Sequence, residues 1–305
     1  SWYFLRYPST DAESNNKLPF DKDRTRDWLP VDQYFGGAEH AVLHLMYSRF
    51  VTQVLNDLGY LNFDEPFPKF YAHGLIIKDG SKMSKSKGNV INPDEYFEKF
   101  GADALRLYLM FIGPMDSTMD FRDSGMEGMQ RFINRLWRLF SNIHDDQKNK
   151  DLTSKLHQTI KKITQNISVF KYNTVISSLM EYVNALVFAD NYSKMYLKPL
   201  AQMLAPFAPH ITEEVWEMMR ESYSVHTSDW PKYDESLTTS AVVTLIIQVN
   251  GKMRGQLEVS SDRVDNRDDI ILQAKQIESV KKYLEQGEVM HQIYVPGKIV
   301  NFVTS

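Results

Sequence analysis

From Ser124 to Tyr223 the apolar residues recur with a helical period and no other, and this long run constrains the fold more than any other feature of the chain. Phe132, Leu136, Leu139 and Phe140 share one stripe, Ile160, Ile163, Ile167 and Phe170 a second, and Val175, Leu179, Val183, Leu186 and Val187 a third. Steps of three and four residues put each set on one face of an α-helix, and such faces are buried by packing on one another, so the run predicts a helical bundle with these stripes as its core. The Pro206 to Pro209 stretch interrupts it before a last helix carrying Ile211, Val215, Trp216 and Met219.

Different patterns flank the bundle. Ser1 to Tyr7 reads as an aromatic strand that starts without a polar lead-in, which suggests a chain that is the C-terminal part of something longer. A polar loop over Pro8 to Thr25 and a second strand, Val31 to Phe35, follow; Gly36-Gly37 ends that strand and Glu39 opens a helix to about Gly59 through Val42, Leu45, Met46 and Phe50. Strand, glycines and helix form a βα unit, and ligands bind at the carboxyl ends of such strands. Phe70 to Ile77 reads as a third strand and Pro93 to Phe111 as helix. Beyond the bundle, Thr227 to Ser240 reads as a linker. Val242 to Val249, an Asn250-Gly251 turn and Lys252 to Val259 then form a hairpin, a helix spans Arg267 to Leu284, and a second hairpin turns at Pro296-Gly297. The expected class is thus multidomain: α/β over 1–122, α over 123–226, a linker over 227–240 and a small α+β domain over 241–305.

At 305 residues and 43% hydrophobic the chain has material for such cores. A net charge of -4 argues against coating nucleic acid by bulk charge. With no cysteine there is neither a disulfide nor a thiolate metal site, and no apolar run reaches membrane-spanning length, so a soluble, cytoplasmic protein is expected.

Lys82-Met83-Ser84-Lys85-Ser86, followed by Lys87-Gly88-Asn89, is the segment richest in chemistry. Lys78 to Lys87 holds four lysines against one acid, Asp79, a local net of +3. Such a loop can wrap a triphosphate: ammonium groups offset the charge that grows as pyrophosphate leaves, and hydroxyl and backbone N–H groups add hydrogen bonds. A solvated basic loop is the plain alternative. Gly36-Gly37-Ala38-Glu39-His40 is a second site, where backbone can approach a ligand and Glu39 can accept from ribose hydroxyls; an ordinary helix start is the alternative. His40 and His44 lie one turn apart on one face, but the acid precedes the first His, so this is not H-E-x-x-H and no metal is expected. No G-x-x-x-x-G-K-[ST] occurs, which argues against a P-loop nucleotidase.

The K-M-S-K-S order resembles the signature loop of class I aminoacyl-tRNA synthetases, and Asn92-Pro93-Asp94 and Gly101 to Arg106 resemble the segment just beyond that loop in the family. With Ser1 to Tyr7, Trp28 to Asp32, Gly36 to Phe50, Val249 to Lys252 and Ile293 to Lys298, the resemblance is to leucyl-tRNA synthetases of the bacterial type and covers essentially the whole chain. Synthetases for isoleucine and valine carry an Asp and an R-G-W run where this chain has Glu39-His40-Ala41. The resemblance implies the second half of a Rossmann-like class I catalytic domain, an anticodon-binding-type bundle and a C-terminal tRNA-binding domain. It further implies that ATP, with Mg²⁺ on its phosphates, and L-leucine form leucyl-adenylate, whose acyl group passes to tRNA(Leu). Lys82 and Lys85 would be catalytic, and Gly37, Glu39, His40, Lys82, Met83, Ser84, Lys85 and Ser86 would bind ATP. Tyr3, His40 and His44 would line the leucine pocket.

The family's other signature, H-x-G-H, is absent, since no two of the eight histidines stand three apart. The first half of the nucleotide fold and the editing domain are therefore expected to be missing from this chain, to be supplied by an N-terminal part as a separate chain. Only Lys78 to Ser81 separate the third strand from the loop, so a module that many members insert there is absent too. A tRNA-binding module without catalysis of its own is the competing reading. Both readings bring the chain to tRNA. Arg131, Arg135 and Arg138 recur on one helix face, and Lys252, Arg254 and Lys298 follow the hairpin turns, while eight basic and eight acidic residues over 241–305 exclude binding by net charge.

Overall fold

The computed structural model describes residues 1–10, 19–144, 147–238, 242–260, 263–285 and 287–304. They gather into two compact units: Ser1–Arg131 with Phe170–Ile176, and Phe132–Val169 with Ser177–Ser305.

In the first unit the opening aromatic segment is helical, not a strand. α1 spans Tyr3–Arg6 and a 3₁₀ turn covers Tyr7–Ser9. The Leu5 N–H closes onto the Trp2 carbonyl, and Leu5 alone of the segment is fully buried, in a small core with Phe20 and Leu29. A short apolar run does not distinguish strand from helix by its period, and here one inward residue with exposed aromatics around it settles as a turn of helix. The loop read over Pro8 to Thr25 gives way to α2 (Lys22–Trp28), capped by the Asp21 carboxylate on the N–H groups of Asp23 and Arg24; residues 11–18 of that loop lie outside the described residues.

β1 (Tyr34–Gly37) and β2 (Phe70–His73) pair in parallel, Tyr34 opposite Phe70 and Gly37 opposite His73. α3 (His44–Asp57) forms the crossover, preceded by a 3₁₀ turn over Ala38–Ala41, so regular helix begins five residues after Glu39. The apolar residues of this segment do not form a buried stripe: Val42 and Phe50 are each 66% exposed. The buried residues of α3 are Ser48 and Thr52, whose hydroxyls donate to the carbonyls of His44 and Ser48 at 2.7 and 2.8 Å. Small side chains that satisfy themselves on the helix backbone occupy the inner face, which leaves the large ones outside.

The single strand expected over Phe70 to Ile77 is two, in different sheets. β3 (Ile76–Lys78) pairs antiparallel with β4 (Ser81–Lys82) and parallel with β5 (Met119–Phe121). The β3–β5 connection holds the lysine loop and two helices, α4 (Pro93–Phe100) and α5 (Ala102–Phe111), broken at Gly101 with φ 82°. Asn92 caps α4 by accepting from the Asp94 N–H, with Pro93 at the first helical position.

α6 (Asp123–Ser141) passes through the boundary between the units. α7 (Lys150–Ile167), α8 (Tyr172–Phe188), α9 (Lys194–Leu204) and α10 (Pro209–Met218) follow. The stripes largely hold: Leu136, Ile163, Val175, Leu179, Val183 and Leu186 are completely buried. Phe170 departs from its stripe. With φ 59° it lies past the end of α7, and its ring sits edge-on to Phe35 and Tyr71 at 5.0 and 5.4 Å. The segment read as a linker is strapped to α7: the Trp230 indole donates to Thr164 Oγ1 at 2.9 Å, the Asp234 N–H to His157 Nδ1 at 2.9 Å, and Gln158 Nε2 to the Thr238 carbonyl at 2.9 Å, while Lys161 pairs with Glu235. Its last residues, 239–240, lie outside the described residues.

A four-stranded sheet in the order β7-β6-β9-β8 follows, from β6 (Val242–Val249), β7 (Lys252–Ser260), β8 (Val289–Val295) and β9 (Ile299–Thr304). The expected helix over Arg267 to Leu284 is two, α11 (Arg267–Gln276) and α12 (Glu278–Leu284), parted at Ile277, whose ψ of 121° is extended. Leu245, Ile247, Val249, Val300 and Phe302 from the sheet and Ile270, Ile271, Ala274 and Val280 from the helices share one core.

Candidate active site

The lysine loop is a preformed, closed turn. An Asp79-Gly80 turn, both residues at positive φ, joins β3 to β4; Lys85–Lys87 then forms a 3₁₀ turn ended by Gly88 at φ 66°. Asn89, not among the expected site residues, closes it. Its Oδ1 accepts from the Ser84 N–H at 2.9 Å, and its Nδ2 donates to the carbonyls of Lys78 and Lys82, each at 3.4 Å. The Ser84 and Ser86 hydroxyls meet at 2.8 Å. Lys82, Lys85 and Lys87 are exposed, and among the described residues none of them forms an ion pair. Met83 is half-buried and faces less solvent than its lysine neighbours.

Lys78 at the base of the loop is used differently. Its side chain, only 18% exposed, reaches Asp123 Oδ2 with the ammonium at 3.0 Å, and the Tyr96 hydroxyl donates to Asp123 Oδ1. Burial first, and then the bond to Asp123, pushes the Tyr96 hydroxyl up to about 12; Tyr96 and then Lys78 hold Asp123 below the usual carboxylate range. The loop is thereby tied to α4 and to the first residue of α6.

At the second site the Glu39 carboxylate folds back over Gly37, so that a Cβ on residue 37 would lie 2.2 Å from Glu39 Oε2 and displace it. His44 and Tyr3 line a cavity of about 450 Å³ with Trp28, Asp32, Tyr34 and Phe67. His40 is not in that lining; its ring stands at right angles to that of His44, 6.4 Å away, and its buried Nδ1 has no hydrogen-bond partner. Burial first, with His40 beside it, lowers the pKa of His44. Tyr34 and Phe67 had no motif to mark them; the cavity gathers them from β1 and from the loop before β2. Among the described residues no group of three or more His, Asp or Glu side chains is arranged to hold a metal, and no helix is long and apolar enough to cross a membrane.

The basic residues expected to face RNA separate into two kinds. Arg131 and Arg138 are exposed on α6, whereas Arg135 donates to Asn184 Oδ1. Lys252 and Lys298 are exposed at hairpin turns, whereas the Arg254 guanidinium lies 3.8 Å from the Tyr283 ring centre and donates to its hydroxyl at 3.0 Å. Since Ile246 pairs with Ile299 and Val249 with both Phe302 and Lys252, the two turns stand at opposite ends of the sheet. Four residues of strand place Lys252 and Lys298 about 13 Å apart along β6. They form no single patch.

The family model for tRNA synthetases class I (I, L, M and V) matches residues 10–122, and that for the anticodon-binding domain of tRNA ligase matches residues 149–268. A leucine–tRNA ligase of Dehalococcoides mccartyi is 46% identical over 316 residues, covering 99% of this chain and 38% of the relative; that of Thermotoga maritima is 44% identical over 327 residues, covering 99% and 39%. Among solved structures, a ternary complex of Agrobacterium radiobacter K84 agnB2 LeuRS with tRNA and LeuAMS superposes with a TM-score of 0.75 at 34% identity, covering 100% of this chain and 42% of that one. The chain thus spans just under two fifths of the length of the curated relatives it matches. Its architecture combines part of a class I catalytic domain, a helical anticodon-binding domain and mixed sheets with helices. From end to end the chain is similar to a part of these leucine–tRNA ligases.

Proposed function

We propose that this chain supplies the phosphate-binding loop, part of the leucine pocket and the RNA-facing surfaces of a leucine–tRNA ligase of the cytoplasm, which joins L-leucine to tRNA(Leu) at the expense of ATP. The observation that carries this reading is the closed loop: Asn89 and the Lys78–Asp123–Tyr96 cluster hold its stem, while Lys82, Lys85 and Lys87 remain exposed and, among the described residues, unpaired. Cations held ready without a partner suit an anion that arrives with the substrate.

The leucine carboxylate oxygen attacks the α-phosphorus of ATP, the bond to the bridging oxygen breaks, and pyrophosphate leaves with that electron pair. Lys85, with Lys82, stabilises the charge growing on the departing phosphates; no side chain becomes covalently attached, so catalysis consists of positioning and charge. Mg²⁺ comes with the phosphates of ATP. Gly37 and Glu39 would face the ribose, His40 with its free Nδ1 the adenine side, and Tyr3 and His44 the leucine side chain. A hydroxyl at the 3′ end of the tRNA then attacks the leucyl carbonyl and releases AMP. Arg131, Arg138, Lys252 and Lys298 are the basic residues available to the tRNA backbone; Arg135 and Arg254 act within the fold.

The sequence contains no H-x-G-H, and the chain spans 38% of its Dehalococcoides relative, so adenylation requires the remainder of the enzyme, on the same or a second chain. Leucine-dependent ATP–pyrophosphate exchange tests this. The chain alone should show none, and in an enzyme completed with the remaining parts Lys85→Ala should slow exchange by roughly 10²- to 10³-fold, with the leucine KM little changed. Unaltered turnover with only a raised leucine KM would assign the loop a structural role. Robust exchange by the chain alone would show that its site is already complete.

A further inference from the structure

Both ring nitrogens of His44 meet protein hydroxyls: Nδ1 lies 3.1 Å from the Tyr34 hydroxyl and Nε2 3.3 Å from Ser48 Oγ. A third bond sets their direction. Ser48 Oγ lies 2.7 Å from the His44 carbonyl oxygen, which can only accept, so the Ser48 proton is committed there. Toward Nε2 the Ser48 oxygen is then an acceptor, and Nε2 must carry hydrogen. Burial keeps the ring neutral near pH 7. Nδ1 is accordingly bare and accepts the Tyr34 proton. Ser48 is fully buried, so no solvent competes for its side of the ring. The Tyr34 ring stacks on His44 at 5.6 Å and on Phe67 at 4.7 Å, which fixes the plane of the imidazole as well.

We propose that Tyr34 and Ser48 are positioning residues that lock His44 as its Nε2–H tautomer and occupy both of its nitrogens, so that it presents only apolar ring to the cavity and selects an aliphatic side chain over a polar one of the same outline. The selectivity rests on the reading that this cavity receives the side chain of leucine. Asparagine has nearly leucine's shape with an amide in place of the two methyl groups, and the amide oxygen would find the His44 Nε2 proton and the Tyr34 proton already committed. The His44 wall thus gives the amide oxygen no donor, and that missing hydrogen bond counts against asparagine. His40, whose Nδ1 is unpartnered and which stands outside the lining, is left as the histidine able to bond a ligand.

Long-range ¹H–¹⁵N spectra of the ¹⁵N-histidine-labelled chain read the tautomer directly, with His44→Gln identifying the signal. A protonated Nε2 and an unprotonated Nδ1 are expected, and both Ser48→Ala and Tyr34→Phe should shift the pair towards tautomer-averaged values. A wild-type ring that is already averaged, or protonated at both nitrogens, overturns the lock. In the completed enzyme Ser48→Ala should lower the preference for leucine over asparagine in pyrophosphate exchange about tenfold, the worth of one hydrogen bond. Loss of the tautomer signal with an unchanged preference overturns the selectivity. An unchanged leucine KM in Tyr3→Ala instead shows that leucine sits elsewhere, which removes the ground for the selectivity while the tautomer result stands by itself.

Discussion

Asn89→Ala isolates what holds the lysine loop closed. The substitution removes the acceptor that meets the Ser84 N–H at 2.9 Å and the two donors that reach the Lys78 and Lys82 carbonyls at 3.4 Å. A net intramolecular hydrogen bond contributes about 0.5–1.5 kcal/mol; one of ordinary length and two at the long limit amount to about 1.5 kcal/mol once water partly replaces them at this half-buried residue. Local opening should then rise about tenfold. Limited tryptic digestion of the chain reads this, because Lys82, Lys85 and Lys87 are cleavage points inside the turn, and cleavage follows the open population when opening and closing are fast. Cleavage in the loop should accelerate about tenfold, with other sites unaffected. Asn89→Asp keeps the acceptor for Ser84 and loses both donors, so it should retain most of the protection. In the completed enzyme the alanine variant should lower kcat/KM for ATP and leave the KM for leucine in place, since ATP would have to close the loop at the cost of its own binding energy. A digestion rate in Asn89→Ala equal to that of the wild type would refute the reasoning, because the loop would then be held by something other than this side chain.

Gly74→Ala should destabilise the first unit by about 1–3 kcal/mol or more, since a Cβ there would stand 2.0 Å from the Ser117 carbonyl oxygen and backbone must move; unchanged denaturant unfolding would show that the crossing can relax. Tyr96 should titrate late. Its folded value of about 12 lies above the ordinary 10.0, so its contribution is complete below pH 10 and disappears as pH climbs towards 12. Asp123 is depressed, and its contribution is present above the carboxylate range and lost as acid takes the pH down through its folded pKa. Tyrosinate absorbance in Asp123→Asn should show Tyr96 moving back towards 10; no movement would remove Asp123 as a cause. Deleting 241–305 from the completed enzyme should impair aminoacylation and spare leucyl-adenylate formation, and equal loss of both would reduce that part to a stabilising role.

How much could be read without coordinates depended on the range of the interaction. The helical stripes through Leu136, Ile163 and Leu179, the Asn250-Gly251 turn with both residues at positive φ, and the lysine loop itself are local. Period and turn chemistry act over a few residues and survive in any context. The proposed roles of Tyr3, Gly37, Glu39, His44, Lys82 and Lys85 come from a resemblance in motif order. Spacing could not show which partner each would find. Ser1 to Tyr7 has the composition of a strand, yet it closes into α1 around Leu5. Arg254 stands just past a turn, yet Tyr283, 29 residues on, captures its guanidinium. Lys252 and Lys298 look alike in sequence, but the parallel pairing of β6 with β9 puts them at opposite ends of one sheet. The exposure of the loop lysines, the Asn89 closure and the two hydroxyls bonded to His44 are likewise decisions of the tertiary structure. A hydrogen bond is set by distance and direction within a few tenths of an ångström, and only the folded backbone determines those.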